Sequence, residues 1–232
     1  MNWKKFMPRA YVPYSKEPDV CIVQGDEEEY FLGVRIENIS FPLTTSSIQA
    51  ACCICLSYGQ IPKKIFLNSD TDPQLDYWKK EFNCESIISE IPATITLKEY
   101  REKPVSNKKD YLKQLLHSAV TPNSDFPVSA ILSTDNQCYT GVNVEVSDWS
   151  KGLCAERIAL SKAIADNADD FKSISLHTLK GEFSSPCGAC RQVMFEHFPL
   201  IKIEVFHTDD TRSEHFIIDL LPFSFSSKDL RS

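Results

Sequence analysis

The chain has 232 residues, 42% of them hydrophobic and 25% charged, and its net charge is −7. This is the composition of a globular protein with one large domain or two of ordinary size. The acidic balance excludes a nucleic-acid partner held mainly through phosphate contacts, and no apolar run is long enough to span a bilayer.

The N-terminal MNWKKFMPRAYVPYS lacks the apolar stretch of a signal peptide, and the nine cysteines are an odd number. The expectation is a cytoplasmic protein with reduced thiols and no membrane partner.

Val20 to Val23 reads as a strand, Gly25 to Glu29 as a charged hairpin tip, and Tyr30 to Ile36 as the return strand. Thr44 to Tyr58 has helical spacing, with Thr44 or Thr45 as N-cap and Gly59 as the stop. Ile65 to Leu67 is a short strand, and Asp72-Pro73 opens a helix that runs to about Phe82. Ile87 and Ile88 suggest one more strand. The stretch 97–110, LKEYREKPVSNKKD, is charged, carries Pro104 and has no apolar period, so it reads as a linker.

A similar order then begins again. Tyr111 to Val120 is a helix, and Val128 to Leu132 and Tyr139 to Val146 are strands around the turn Thr134 to Gln137. Leu153 to Ala165 is a helix, Ile174 to Leu179 a strand, Pro186 to Phe198 a helix, and Ile201 to Phe206 a strand. Phe216 to Leu220 reads as a last strand. This order implies an α/β fold of two tandem α/β/α layered domains, each a mixed sheet covered by helices.

The two halves align as a repeat. Gly33-Val34-Arg35-Ile36-Glu37 falls on Gly141-Val142-Asn143-Val144-Glu145, and the offset holds through the next helix. The domain reading is 1–96, a linker at 97–110, and 111–232.

The chemistry lies in the second half. Cys187 and Cys190 in Pro186-Cys187-Gly188-Ala189-Cys190 have C-x-x-C spacing at a predicted helix start, which lets both sulfurs reach one metal. Cys154 supplies a third thiolate and leaves one zinc position open for water. Glu156, two residues on, is free to move protons. In the first half, Ser46, Ile48, Gln74 and Tyr77 stand opposite Cys154, Glu156, Cys187 and Cys190. These residues do not reproduce a three-thiolate site, so one zinc per chain is expected. The other six cysteines, Cys21, Cys52, Cys53, Cys55, Cys84 and Cys138, read as small buried hydrophobes. The five histidines lack metal spacing and read as structural.

The second half resembles the cytidine deaminase family, zinc hydrolases of cytidine and deoxycytidine. The matching stretches are Pro122 to Ala130, Val142 to Glu145, Leu153-Cys154-Ala155-Glu156-Arg157, Ser185 to Val193, and Leu220-Leu221-Pro222. The first half is similar in degenerate form, through Pro13-Tyr14-Ser15 and Glu37 to Leu43. Asn123, Ser129 and Val146 depart from the family's usual Tyr, Gly and Asn.

The resemblance implies pyrimidine salvage by hydrolytic deamination, with Glu156 as proton carrier and Arg157 hydrogen-bonded to a ligand sulfur. It places Asn143 and Glu145 on the ribose hydroxyls and Phe126 against the base. It further implies a homodimer that mimics the tetramer of single-domain members, with Phe41 of the degenerate half as a pocket wall. Phe223 or Phe225 is a further pocket candidate. The competing readings are a lapsed deaminase-like binding protein and a deaminase of another cytosine nucleoside analogue.

Overall fold

The computed structural model describes residues 2–88, 91, 95–181 and 184–226. Two mixed sheets organise them. The first contains β1 (Val20–Gly25), β2 (Tyr30–Val34), β3 (Pro62–Leu67) and β4 (Glu85–Ile88), in the order β2-β1-β3-β4. The second contains β5 (Val128–Ser133), β6 (Cys138–Val142), β7 (Ser173–Thr178), β8 (Lys202–Phe206) and β9 (Arg212–Phe216), in the order β6-β5-β7-β8-β9. In both sheets the first two pairings are antiparallel and the third, β3 with β4 or β7 with β8, is parallel. The parallel pairs need crossovers, which α2 (Leu75–Phe82) and α5 (Gly188–His197) supply.

Two helices lie at the centre, α1 (Ser47–Ser57) and α4 (Ala155–Ala165). Every residue of α1 is buried, as is almost all of α4. A helix that is apolar or small on all sides belongs inside a core. The two helices pack on each other and on their sheets, and one continuous apolar core runs through both halves. All six cysteines outside the three-cysteine group are buried, with Cys52, Cys53 and Cys55 on α1. Burial pushes the Cys53 thiol up to about 12.

The helices sit almost on the strand backbones. A Cβ on Gly33 would lie 2.3 Å from Ala51 N, and one on Gly141 would lie 2.1 Å from Ala155 O. Glycine at both positions sets how closely each helix approaches its sheet.

Several boundaries differ from the sequence expectation. Ser46 caps α1, its side chain accepting from Gln49 N at 3.2 Å, one residue beyond the expected threonines. The segment around 97–110 is tied at both ends. Leu97 bridges to Tyr30, Glu102 bridges to Cys138, and α3 (Lys108–Leu115) begins inside the segment, capped by Asn107. The expected strand at Phe216 to Leu220 is instead a 3-10 helix at Ile217–Leu220, and the strand lies just before it as β9. β9 was hidden because an exposed edge strand carries no apolar face; its residues alternate between exposed and half-buried.

Candidate active site

Both segments that carry the candidate metal-binding cysteines begin helices. Cys154 is the N-cap residue of α4 and Cys187 that of α5, each with extended backbone, and Cys190 lies buried on the first turn of α5. The helix N-termini bring backbone N–H groups and positive dipole ends toward the sulfurs, which favours thiolate. The three Sγ atoms lie within 4.8 Å of one another, and those of Cys154 and Cys187 are 3.7 Å apart. Tetrahedral zinc with Zn–S bonds near 2.3 Å needs sulfurs about 3.8 Å apart, so the donor set fits that ion. The Cys187 thiol is held far below its usual value by hydrogen bonds from Cys154, Cys190 and the Ala189 and Cys190 backbone, while Cys154 and Cys190 are raised.

Glu156 stands on the first turn of α4, only 4% exposed. Burial pushes its carboxyl up to about 7, with the neighbouring Cys187 adding to the rise. A carboxyl that titrates near neutral pH suits a group that must both accept and donate a proton. It shares a cavity of about 230 Å³ with Cys154, Cys187, Phe126 and Asn143. A neighbouring cavity of about 360 Å³ shares Phe126, Asn143 and Cys154 and adds Glu145 and Trp149. Together they make a mostly apolar space beside the sulfurs, with a few polar groups in its wall.

Asn143 and Glu145 lie just past the end of β6, not on the strand as expected, and their side chains hold the surrounding loops. Asn143 Oδ1 accepts from Val128 N at 2.7 Å and its Nδ2 donates to Phe126 O at 2.9 Å. Glu145 Oε2 accepts from Asn123 N (3.0 Å) and Ser124 N (3.1 Å), and Oε1 accepts from the Ser124 hydroxyl. Glu37 in the first half is held in the same way by Tyr14 N, Ser15 N and the Ser15 hydroxyl. Of the family departures, Ser129 ties α3 to β5 through its hydroxyl to Leu112 O at 2.8 Å, and Asn123 Nδ2 donates to Val146 O at 3.3 Å.

Arg157 Nη2 donates to Leu43 O at 3.0 Å and Thr45 Oγ1 at 2.8 Å, both in the first half. Its guanidinium reaches across the helix pair through Nη2, and its Nε is buried without a hydrogen-bond partner. Phe41 is 83% exposed and lines neither cavity of this chain. Phe223 and Phe225 are likewise exposed and line neither.

The sequence reading missed Trp149 and Glu196. Trp149, 67% exposed, occupies the place in the second half that Phe41 has in the first, and each starts a 3-10 turn. The repeat alignment would have found it. Glu196 on α5 accepts from Tyr14 Oη (2.7 Å), Tyr11 Oη (3.2 Å) and Ile39 N (2.7 Å). The first half thereby grips the helix that carries two of the three sulfurs.

Two mixed α/β layers and a buried carboxyl beside three clustered thiols on helix N-termini define a zinc-binding deaminase-type protein. Residues 106–204 match the family model described as the cytidine and deoxycytidylate deaminase zinc-binding region. The cytidine deaminase of Sporosarcina psychrophila is 39% identical over 121 residues, 51% of this chain and 88% of that protein. The cytidine deaminase of Halalkalibacterium halodurans is 34% identical over 119 residues, 50% of this chain and 90% of that protein. A cytidine deaminase crystal structure from Burkholderia pseudomallei, 31% identical, aligns with a TM-score of 0.49 over 52% of this chain and all of that one. The chain belongs to the cytidine deaminase family.

Proposed function

We infer that this protein hydrolyses the exocyclic amine of cytosine nucleosides, converting cytidine and deoxycytidine to uridine and deoxyuridine with release of ammonia, a salvage reaction. The observation that carries this reading is Glu156, buried on the first turn of α4 in one cavity with Cys154 and Cys187. Cys154, Cys187 and Cys190 would hold zinc, which when bound supplies the Lewis acidity that makes water nucleophilic near neutral pH.

Glu156 is the proton carrier. Water adds to carbon 4 of the ring as Glu156 takes its proton. Glu156 passes that proton to ring nitrogen 3, then moves a second proton from the new hydroxyl to the amino group. The C–N bond breaks and ammonia leaves. Phe126 and Asn143 line both cavities and Glu145 the outer one, which supports Phe126 against the base and Asn143 and Glu145 toward the sugar hydroxyls. A Glu145 carboxylate repels a phosphate, which favours nucleoside over nucleotide.

One zinc per chain is our reading. Ser46 and Gln74 occupy the first-half positions of Cys154 and Cys187. Among the described residues the cysteine trio is the only group of three or more clustered metal-ligating side chains. Residues 1–96 are then a metal-free unit, duplicated from the same scaffold as 111–232 and joined through 97–110. The exposed Phe41 and Trp149 support a homodimer that covers them. Nine free thiols support a reducing, cytoplasmic setting.

An ammonia-release assay on cytidine, deoxycytidine and deoxycytidylate, with zinc analysis of the same sample, tests the reading. Turnover of both nucleosides at one zinc per chain is expected. A zinc-loaded protein inert toward all three would sink it.

A further inference from the structure

Lys162 is a buried charge that the chemistry above does not use. It is 2% exposed, on α4, past the turn that carries Glu156. Its Nζ stands 4.0 Å from the centroid of the Tyr58 ring, and among the described residues it has neither an ion pair nor a hydrogen bond. A buried ammonium is costly unless it is paired. The ring face offsets only part of that cost.

Lys162 lines a cavity of about 220 Å³ at the junction of the two halves. Tyr58 at the end of α1, Glu102 from the connecting segment, Ser118 after α3, and Thr140 on β6 complete the part of the wall that matters. Glu102 is the one acidic group in the lining, and both its oxygens are engaged. Oε2 accepts from Tyr111 Oη at 2.6 Å and Oε1 accepts from Thr140 Oγ1 at 2.7 Å. The Glu102 charge acts on Lys162 from across the cavity, yet among the described residues no acceptor bonds its three N–H donors. The cost of burial shows in Lys162 itself, whose pKa is pushed down to about 7.

We propose that this cavity is a second ligand site, which takes a small oxyanion, carboxylate or phosphate, against the Lys162 ammonium. A cavity of about 220 Å³ takes only a small ligand. Its walls come from both halves and from the helix that carries Cys154 and Glu156. An occupant stabilises the docked arrangement of the two units. This site stands whether or not the catalytic reading does, since its readout is binding.

Thermal unfolding of the zinc-loaded protein in acetate, phosphate or chloride at matched ionic strength tests it. A saturating oxyanion should raise Tm by roughly 5–10 °C over chloride. A response to acetate alone identifies a carboxylate site, and one to phosphate alone a phosphate site. Lys162→Met should abolish the rise, and Glu102→Gln should bring it on at lower anion concentration. If Lys162→Met does not fold, Ser118→Leu, which fills the wall, should abolish the rise instead. No rise in the wild type, or an undiminished one in the variant, overturns the proposal.

Discussion

Gln49 and Arg157 make the same contact in opposite directions. Gln49 Nε2 on α1 donates to Lys151 O at 3.0 Å, and Arg157 Nη2 on α4 donates to Leu43 O at 3.0 Å. Donors and acceptors are equivalent positions of the two halves, separated like Gly33 and Gly141. Reciprocal contacts of this kind belong to two-fold interfaces, so the central helix pair meets as a dimer interface would, within one chain. Arg157→Ala leaves Leu43 O and Thr45 without their donor. We expect a loss of about 1–3 kcal/mol in urea unfolding, with zinc content unchanged. Loss of zinc with unchanged stability would instead return Arg157 to the sulfurs.

Glu156→Gln keeps the shape of the side chain and removes the proton carrier. The expected result is full zinc content and a kcat lower by about 10²–10⁴-fold. Metal analysis beside steady-state kinetics checks both halves of the statement. A near-wild-type kcat would remove Glu156 from the mechanism.

Cys187 is one of the three clustered cysteines, and it is the N-cap residue of α5. Cys187→Ser should lose its zinc to a chelator that leaves the wild type loaded, and unfold at lower temperature. Retention of a full equivalent of zinc would mean that the metal sits elsewhere.

Glu145 holds residues 123 and 124 as well as facing the outer cavity. Glu145→Gln retains an acceptor for the loop and loses the charge. KM for cytidine should rise more than kcat falls, and discrimination against the nucleotide should weaken. An unchanged KM would argue that the carboxylate serves the loop alone.

His197 at the end of α5 packs on Tyr11, ring centroids 4.5 Å apart, and its Nε2 is buried without a partner. Burial pushes it from 6.5 down to about 4. The folded state then binds fewer protons than the unfolded chain between these values, so stability rises with pH across that window. Its contribution is complete above pH 6.5 and is lost as pH falls toward 4. His197→Phe should flatten the acid side of a stability–pH curve measured by urea titration. An unaltered slope would show that other groups set it.

Much of the fold was legible because its signals are local. Strand alternation, the glycine after α1 and the Asp-Pro start before α2 each act over a few residues. The misses follow from the same fact. β9 has no apolar face to betray it. Asn143 and Glu145 have the spacing of strand residues, yet β6 ends before them and their side chains bond Val128, Asn123 and Ser124. Their alternate spacing cannot show that β6 stops at Val142.

The sequence by itself determined the chemistry. Three cysteines and a glutamate at helix-start spacings lie close together along the chain or at the starts of helices, so residue type and interval suffice to single out a candidate metal donor set. Only the tertiary structure decided how the two halves serve one another. Arg157 bonds residues more than a hundred positions away, and Glu196 binds Tyr14 and Ile39 at still greater separation. Such contacts leave no period in the sequence, because they arise where two buried helices and their flanking loops happen to be close-packed in space.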